Sequence, residues 1–346
     1  MAVEYQAVQW NRQKVIYDAI LVGGVALYLV TFGTLTEILF PYVTEEIMLM
    51  RAFATAAFLL LHIILCIGPL CRLSPQFLPL LYNRRHAGVT CFLLAMVHAV
   101  FVVTTYHAAG RVNPILSIFT SGRFDGTIAS VPFQPFGFFA LIILFLMAAT
   151  SHDFWLANLS PPVWKTLHML VYVAYGLLLL HTTFGVLQNE TSPIYVCAIV
   201  LGLVTVLGLH LAAARKESIM DRPCKNSPSE GGFIEICGVN DIVESRATTA
   251  LLSGERIAVF KYDGKISVVS NVCQHQNGPL GEGKIVEGCI TCPWHGYQYL
   301  PDTGASPPPF VEKVPTFNVR VENGRIFVHP RPNPPGVRAE PAHIET

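Results

Sequence analysis

The chain carries two short pairings of cysteine with histidine: Cys273-x-His275, then sixteen residues, then Cys292-x-x-His295. Two thiolates and two imidazoles on two loops suit a [2Fe–2S] centre in which one iron takes both cysteines and the other both histidines. Neutral imidazole in place of anionic thiolate takes negative charge off the cluster. That places the reduction potential at about −150 to +300 mV. Such a centre moves one electron at a time. The same four residues could also hold a tetrahedral structural zinc. Zinc fingers pair Cys with Cys and His with His, whereas here each loop has one of each. Cys289 and Cys292 form a C-x-x-C, which keeps zinc open. Cys289 itself reads as a strand residue just before the second loop.

A second set of histidines sits where ionisable residues are rare. Charged residues make up only 13% of the 346, and mean hydropathy is +0.47. Both suit a membrane protein. The formal net charge is +0, which gives no bulk case for nucleic-acid binding. The nine cysteines form no secreted disulfide pattern, which points to a reducing compartment for the C-terminal part. Six apolar segments, 15–40, 52–70, 87–106, 133–150, 165–186 and 194–214, each approach the length a bilayer demands. Histidines inside or beside them are functional candidates by default: His62, His86, His98, His107, His168 and His181. Imidazoles from facing helices make a natural haem b site. His86 and His168 lie at one depth and His98 and His181 at another. From His168 to His181 the rise is roughly 20 Å, room for two stacked haems. Thirteen steps of about 100° leave those two imidazoles more than a third of a turn apart, so a bend or two sides of the bundle is required. His62 is a weaker candidate, and His107, His152 and His210 read as interfacial.

The loops set an orientation. Arg12, Lys14, Arg72, Arg84, Arg85, Lys165, Arg215 and Lys216 share one side, which should be cytoplasmic. Glu45, Glu46, Arg51, Arg111, Arg123, Asp125 and Glu190 share the other. Six spans return both termini to the cytoplasm. Residues 215–231 read as a polar linker. Beyond it the period drops to two: a strand at 233–236, a hairpin about Asp263-Gly264 and another about Asn323-Gly324. Residues 331–346 are Pro-rich and expected to be disordered.

Two family resemblances carry these readings further. Gly278-Pro279-Leu280, the run Cys292 to Gly296, Asp302-Thr303-Gly304 and Pro307-Pro308-Pro309 resemble the Rieske ferredoxin family over 232–330. The resemblance implies Cys273, His275, Cys292 and His295 as cluster ligands, with the proline-rich loop over the cluster. Respiratory members add a disulfide between the loops. Gln276-Asn277 and Trp294 stand there instead, and no Ser follows His295, as in the lower-potential ferredoxin and ring-hydroxylase type. Separately, Arg84-Arg85-His86-Ala87-Gly88 with His98, and Trp164-Lys165-Thr166-Leu167-His168 with His181, resemble ferric reductase-like transmembrane domains. The nearest likeness is to the haem-binding membrane subunit of the periplasmic methionine-sulfoxide reductase system. It implies haem at His98, His168 and His181. His86, a further candidate ligand, stands where that subunit usually has another residue; ferric reductases and NADPH oxidases have a second His low on this span, at a spacing a residue or two longer.

The expected protein is a six-helix transmembrane haem b bundle (1–214), a linker (215–231) and a small all-β Rieske domain (232–330). It would sit in the inner cell membrane and hold one or two haems. It would pass single electrons between the cluster and haem toward an extracytoplasmic acceptor. A cytoplasmic flavin reductase or ferredoxin is the expected donor, an extracytoplasmic oxidoreductase or metal chelate the acceptor, quinone a further partner, and lipid the surroundings. The alternatives are a stand-alone transmembrane ferric or metal reductase and a non-catalytic redox sensor. The chain shows no G-x-G-x-x-G after a strand and no phosphate-binding Lys loop for a nucleotide.

Overall fold

The computed structural model describes residues 12–81, 83–108, 110–122, 131–151, 155, 159, 161–189, 193–220, 230–275, 278–293 and 296–344. Two compact units result. One holds Arg12–Gly68 with Asn83–His210, and the other holds Pro69–Tyr82 with Leu211–Thr346.

The first unit is helical: α1 (Arg12–Leu39), α2 (Glu45–Leu73), α3 (Arg84–Val102), α4 (Pro114–Thr120), α5 (Gln134–Ala149), α6 (Pro161–Met169), α7 (Val171–Phe184), α8 (Val186–Asn189) and α9 (Pro193–Met220). Ile20, Leu27, Ile38, Leu201 and Leu211 are each more than two-thirds exposed. A row of such side chains is costly in water and costs nothing in lipid. Inside, α5 meets α7 through Ala140 and Ala174, both fully buried. Small residues let helix backbones approach closely where no hydrophobic force drives them together.

Five stretches are long and apolar enough to cross a membrane: Lys14–Leu39, Glu45–Leu73, Arg84–His107, Val163–Gln188 and Pro193–Ile219. The sixth expected span is shorter than anticipated. Helix α5 has 16 residues, about 24 Å against a hydrocarbon core of about 30 Å. Pro135 sets its start. At its end the hydroxyls of Thr150 and Ser151 turn back onto the Leu146 and Met147 carbonyls, at 2.6 and 2.7 Å.

Two irregularities interrupt the long helices. The span Val163–Gln188 breaks at Leu170, whose N–H reaches only three residues back, to Leu167 O at 3.1 Å. Helix α3 ends in a π turn, Val103–His107, closed by Ala108 N–H on Val103 O at 2.9 Å.

The linker expected from residue 215 begins later, because α9 runs on to Met220. Lys216 Nζ donates to Arg72 O and Leu73 O, at 2.8 and 3.1 Å, and so caps the C-terminal carbonyls of α2. Glu217 pairs with Arg256.

The β-unit has strands β1 (Ile234–Gly238), β2 (Arg246–Leu252), β3 (Glu255–Tyr262), β4 (Lys265–Ser270), β5 (Lys284–Val286), β6 (Cys289–Thr291), β7 (Gln298–Tyr299), β8 (Thr316–Glu322), β9 (Arg325–Pro332) and β10 (Ala342–His343). The larger sheet runs β1-β9-β8-β4-β3-β2, with β10 added beside β4, and β5-β6-β7 form a smaller sheet. Both expected hairpins form. Asp263 and Gly264 have φ of 47° and 70°, and Asn323 and Gly324 have 49° and 72°, the paired positive values of a type I′ turn. Ile257, Val259, Ile266, Val268, Phe317, Ile326 and Val328 form one core. The alternate faces of β3 and β4 give Ala258, Phe260 and Val269 to a second core beneath the cluster loops.

The tail is ordered, contrary to expectation. Strand β8 pairs with β4 only at Val268 and Val269, leaving β4's first residues with an open edge. Strand β10 fills it, with Ala342 opposite Ile266 and His343 opposite Lys265. Ala339 N–H bonds Asp302 O at 2.8 Å, and the Arg338 guanidinium lies against the Asp302 carboxylate. Deleting residues 333–346 should therefore destabilise the β-unit by about 1–2 kcal/mol, lowering its melting temperature by roughly 5–15 °C. A thermal melt of the full chain, followed by cluster absorption, checks this. An unchanged melt would mean the tail is inert.

Candidate redox sites

The two cluster loops leave from buried strand ends. Asn271, just after β4, holds the first loop through its side chain, Oδ1 accepting from Gly281 N–H at 2.7 Å. Its main-chain oxygen accepts from Leu280 N–H at 2.9 Å. Cys273 follows, 1% exposed, its N–H bonded to Gly278 O at 2.9 Å. In the second loop Cys292, 2% exposed, closes a tight turn: its N–H donates to Tyr297 O at 2.8 Å and its oxygen accepts from Gly296 N–H at 2.9 Å. Gly296 has φ 72°, a conformation in which a Cβ would be strained. His295 lies outside the described residues.

Four side chains to which sequence reasoning assigned no role complete the site. Tyr299 is fully buried, and its Oη lies 3.3 Å from Cys273 Sγ while accepting from Gln274 N–H at 3.0 Å. Burial, then the neighbouring Cys273, raises the pKa of the Tyr299 phenol. It therefore stays protonated and donates to a Cys273 thiolate. Tyr297 lies flat against His275, with ring centroids 4.6 Å apart and planes 7° apart. Behind it Phe310, just after the proline-rich loop, packs edge-on at 5.0 Å. The Tyr297 hydroxyl donates to Glu312, so the ring that supports His275 is held at both ends.

One Cys and one His on each loop is the donor set of a two-iron centre in which one iron takes both cysteines and the other both histidines. Cys289 is buried in β6, and desolvation followed by Glu287 raises its thiol pKa, which disfavours the thiolate a metal needs.

In the helical unit the histidines sort by what each ring nitrogen touches. Nδ1 of His98 lies 3.0 Å from Met50 O, that of His168 3.0 Å from Trp164 O, and that of His181 2.9 Å from Phe133 O. A carbonyl can only accept, so each Nδ1 carries the proton and each Nε2 offers a lone pair, the form that binds metal. His168 Nε2 is buried and has no hydrogen-bond partner among the described residues. The His168 ring is stacked on Trp164, centroids 3.8 Å apart. His181 passes across Gly137 of α5, where a Cβ would come within 2.8 Å of the imidazole.

His62 differs. Its Nδ1 donates to Phe58 O at 2.8 Å, and its Nε2 accepts from Tyr175 Oη at 3.0 Å. Both nitrogens are used, so His62 joins helices. His210 is closed in the same way by Val206 O and Tyr172 Oη, at 2.8 and 2.9 Å. His86 has a third arrangement, with Nδ1 2.8 Å from the Asp18 carboxylate. His107, read as interfacial, is only 3% exposed and bonds Ser117 Oγ at 2.8 Å. His152 lies outside the described residues.

Comparison with known proteins defines the class. Residues 51–179 match the family described as "Ferric reductase like transmembrane component", and residues 232–318 the family described as "Rieske [2Fe-2S] domain". The chain thus joins a ferric reductase-like transmembrane domain to a C-terminal Rieske domain. Among its relatives, the cholesterol 7-desaturase of Xenopus laevis is 38% identical over 86 residues, 22% of this chain and 19% of that protein. The chain therefore spans about a fifth of that relative. The ferredoxin component of the naphthalene 1,2-dioxygenase system of Pseudomonas putida is 27% identical over 97 residues, 28% of this chain and 93% of that one. The ferredoxin of carbazole 1,9a-dioxygenase from Nocardioides aromaticivorans IC177 overlays 29% of this chain and 100% of its own at 24% identity, TM-score 0.28.

A [2Fe–2S] cluster in such a domain supplies one-electron chemistry, and hydrogen bonds to its sulfurs help set the potential. Replacing Tyr299→Phe removes a side-chain donor to Cys273 Sγ. The cluster midpoint should fall by about 59 mV, a tenfold change in the one-electron equilibrium. Spectroelectrochemistry of the purified chain checks it. No shift would mean that this hydroxyl does not reach the cluster's charge.

Proposed function

We propose that this protein carries single electrons between the cluster, held by Cys273, His275, Cys292 and His295, and haem b in the helical unit. The haem ligands in this reading are His98, His168, His181 and His86. The observation that carries it is the state of three imidazoles. His98, His168 and His181 each give the Nδ1 proton to a main-chain carbonyl, and His168 keeps a buried Nε2 with no described partner. A metal bound at such a nitrogen would remove the cost of leaving it buried and unpaired.

The basic ends of the helices, with Arg72, Arg84, Arg85 and Lys216, face the cytoplasm. With α5 counted as a sixth, shortened span, both termini lie there. A cytoplasmic flavin reductase or ferredoxin is the donor. An extracytoplasmic oxidoreductase or metal chelate receives the electron, and quinone is a further partner. The site ligands need only bind, hold the metal still and exclude water.

A dithionite-reduced minus oxidised spectrum of the purified chain, with haem counted, tests this. Sharp b-type bands at two haems per chain are expected. His98→Ala and His181→Ala should each lower the ratio from two to one. His62→Leu should leave it at two while costing about 1–3 kcal/mol of stability, because the Tyr175 hydroxyl loses its acceptor. Reduction of the cluster without reduction of any haem would overturn the proposal.

A further inference from the structure

The four histidines assigned to haem are not held alike. His98, His168 and His181 donate to neutral carbonyls. His86 alone among them faces a carboxylate, with Nδ1 2.8 Å from Asp18 Oδ2. Asp18 belongs to α1 and lies 68 positions away in the chain, so the pair joins two helices. Asn83, 3% exposed, donates from Nδ2 to the other carboxylate oxygen at 2.6 Å, and the same nitrogen lies 3.0 Å from His86 Nδ1. The carboxylate thus receives two donors and cannot turn away from the imidazole. An ionisable side chain in this setting is retained for a reason.

We infer that Asp18 is a positioning and tuning residue that lowers the potential of the haem bound by His86. This rests on the reading of His86 as a haem ligand. A carboxylate accepting from Nδ1–H makes Nε2 a more basic ligand, and its negative charge favours the more positive, oxidised iron. Main-chain carbonyls carry no net charge and do this far less. A haem held by His86 would then be a weaker oxidant than one held only by histidines that donate to main-chain carbonyls.

Asn83 makes the idea testable with two signs. Its amide draws charge away from Asp18, so Asn83 and Asp18 should act in opposite directions. The experiment is spectroelectrochemical titration of both haems in the full purified chain, Asp18→Asn and Asn83→Ala. In the unaltered chain two waves should resolve. A single haem per chain there would defeat the ligand role of His86 itself, and is read before either variant. With two haems present, Asp18→Asn should raise one wave by about a tenfold change in equilibrium constant, about 59 mV, and leave the other in place. Asn83→Ala should lower that same wave. Should Asp18→Asn fail to fold or shed haem, Asn83→Ala decides alone: a fall in one wave bears the inference out, and no movement overturns it. Two haems with both waves unmoved in Asp18→Asn overturn it as well, leaving Asp18–His86 as an interhelical ion pair.

Discussion

A histidine buried among apolar helices must find a place for two ring nitrogens, and the rest of the helical unit depends on how it does so. One nitrogen is the easy part. In His62, His168 and His210 it bonds the carbonyl four residues back in the same helix, at 2.8 to 3.0 Å. The second nitrogen decides the role. A tyrosine closes His62 and His210, and their helices are tied together by neutral hydrogen bonds. His168 has no such closure. Leaving a polar atom buried and unmade costs about 1–3 kcal/mol, and a metal removes that cost where a hydroxyl would have. One residue type thus has both ring nitrogens engaged, or one left open, according to a tyrosine one helix away.

Helix irregularity serves the same end. On an ideal helix His168 and His181 point more than a third of a turn apart. The break at Leu170 falls between them, so the two rings belong to different helical segments and need not share one phase. His98 and His181 are also tied from outside their own helices, to Met50 O and Phe133 O. A carbonyl from a separate segment fixes ring rotation more firmly than one on the same helix, since the backbone of both must move together. Gly137 leaves the space the His181 ring occupies. Its role is steric; its backbone is helical and needs no unusual freedom.

Local pattern made some of this legible and distance hid the rest. Asp263-Gly264 and Asn323-Gly324 announced their hairpins because each dipeptide adopts φ > 0 cheaply. Ser253-Gly254 and Glu287-Gly288 make the same turn, with φ of 50° and 51° at the first residue, yet Ser and Glu carry no such signal. The Cys/His spacing located the cluster loops. Tyr299 could not be read as a donor, because it lies 26 positions from Cys273 and meets it only through β7. Asp18 escaped for the same reason, its partner being 68 positions away. The tail looked unstructured from its prolines, but an extended chain with proline suits the edge of a sheet, and β4 offered one. Composition measured apolar length well and helix length less well. Residues 133–150 are apolar throughout, while Pro135 and the Thr150-Ser151 turn cut the helix to 16 residues.

The two sites solve one problem with different materials. Moving an electron breaks no bond, so the ligands have no chemistry to perform; their task is to stay where they are while the charge changes. In the β-unit His275 rests flat on Tyr297, which Phe310 and Glu312 hold in turn. Aromatic planes serve there because the loop has few carbonyls to spare: those of Cys292 and Tyr297 already bond each other's turn. In the bundle the helix backbone supplies carbonyls at every turn, and histidines take them. In both places the polar partner is fixed by covalent chain or close packing before any charge arrives. A preorganised environment of this kind has little left to rearrange when the charge moves. Histidines whose partners are fixed in this way suit the proposed electron transfer better than flexible surface groups would.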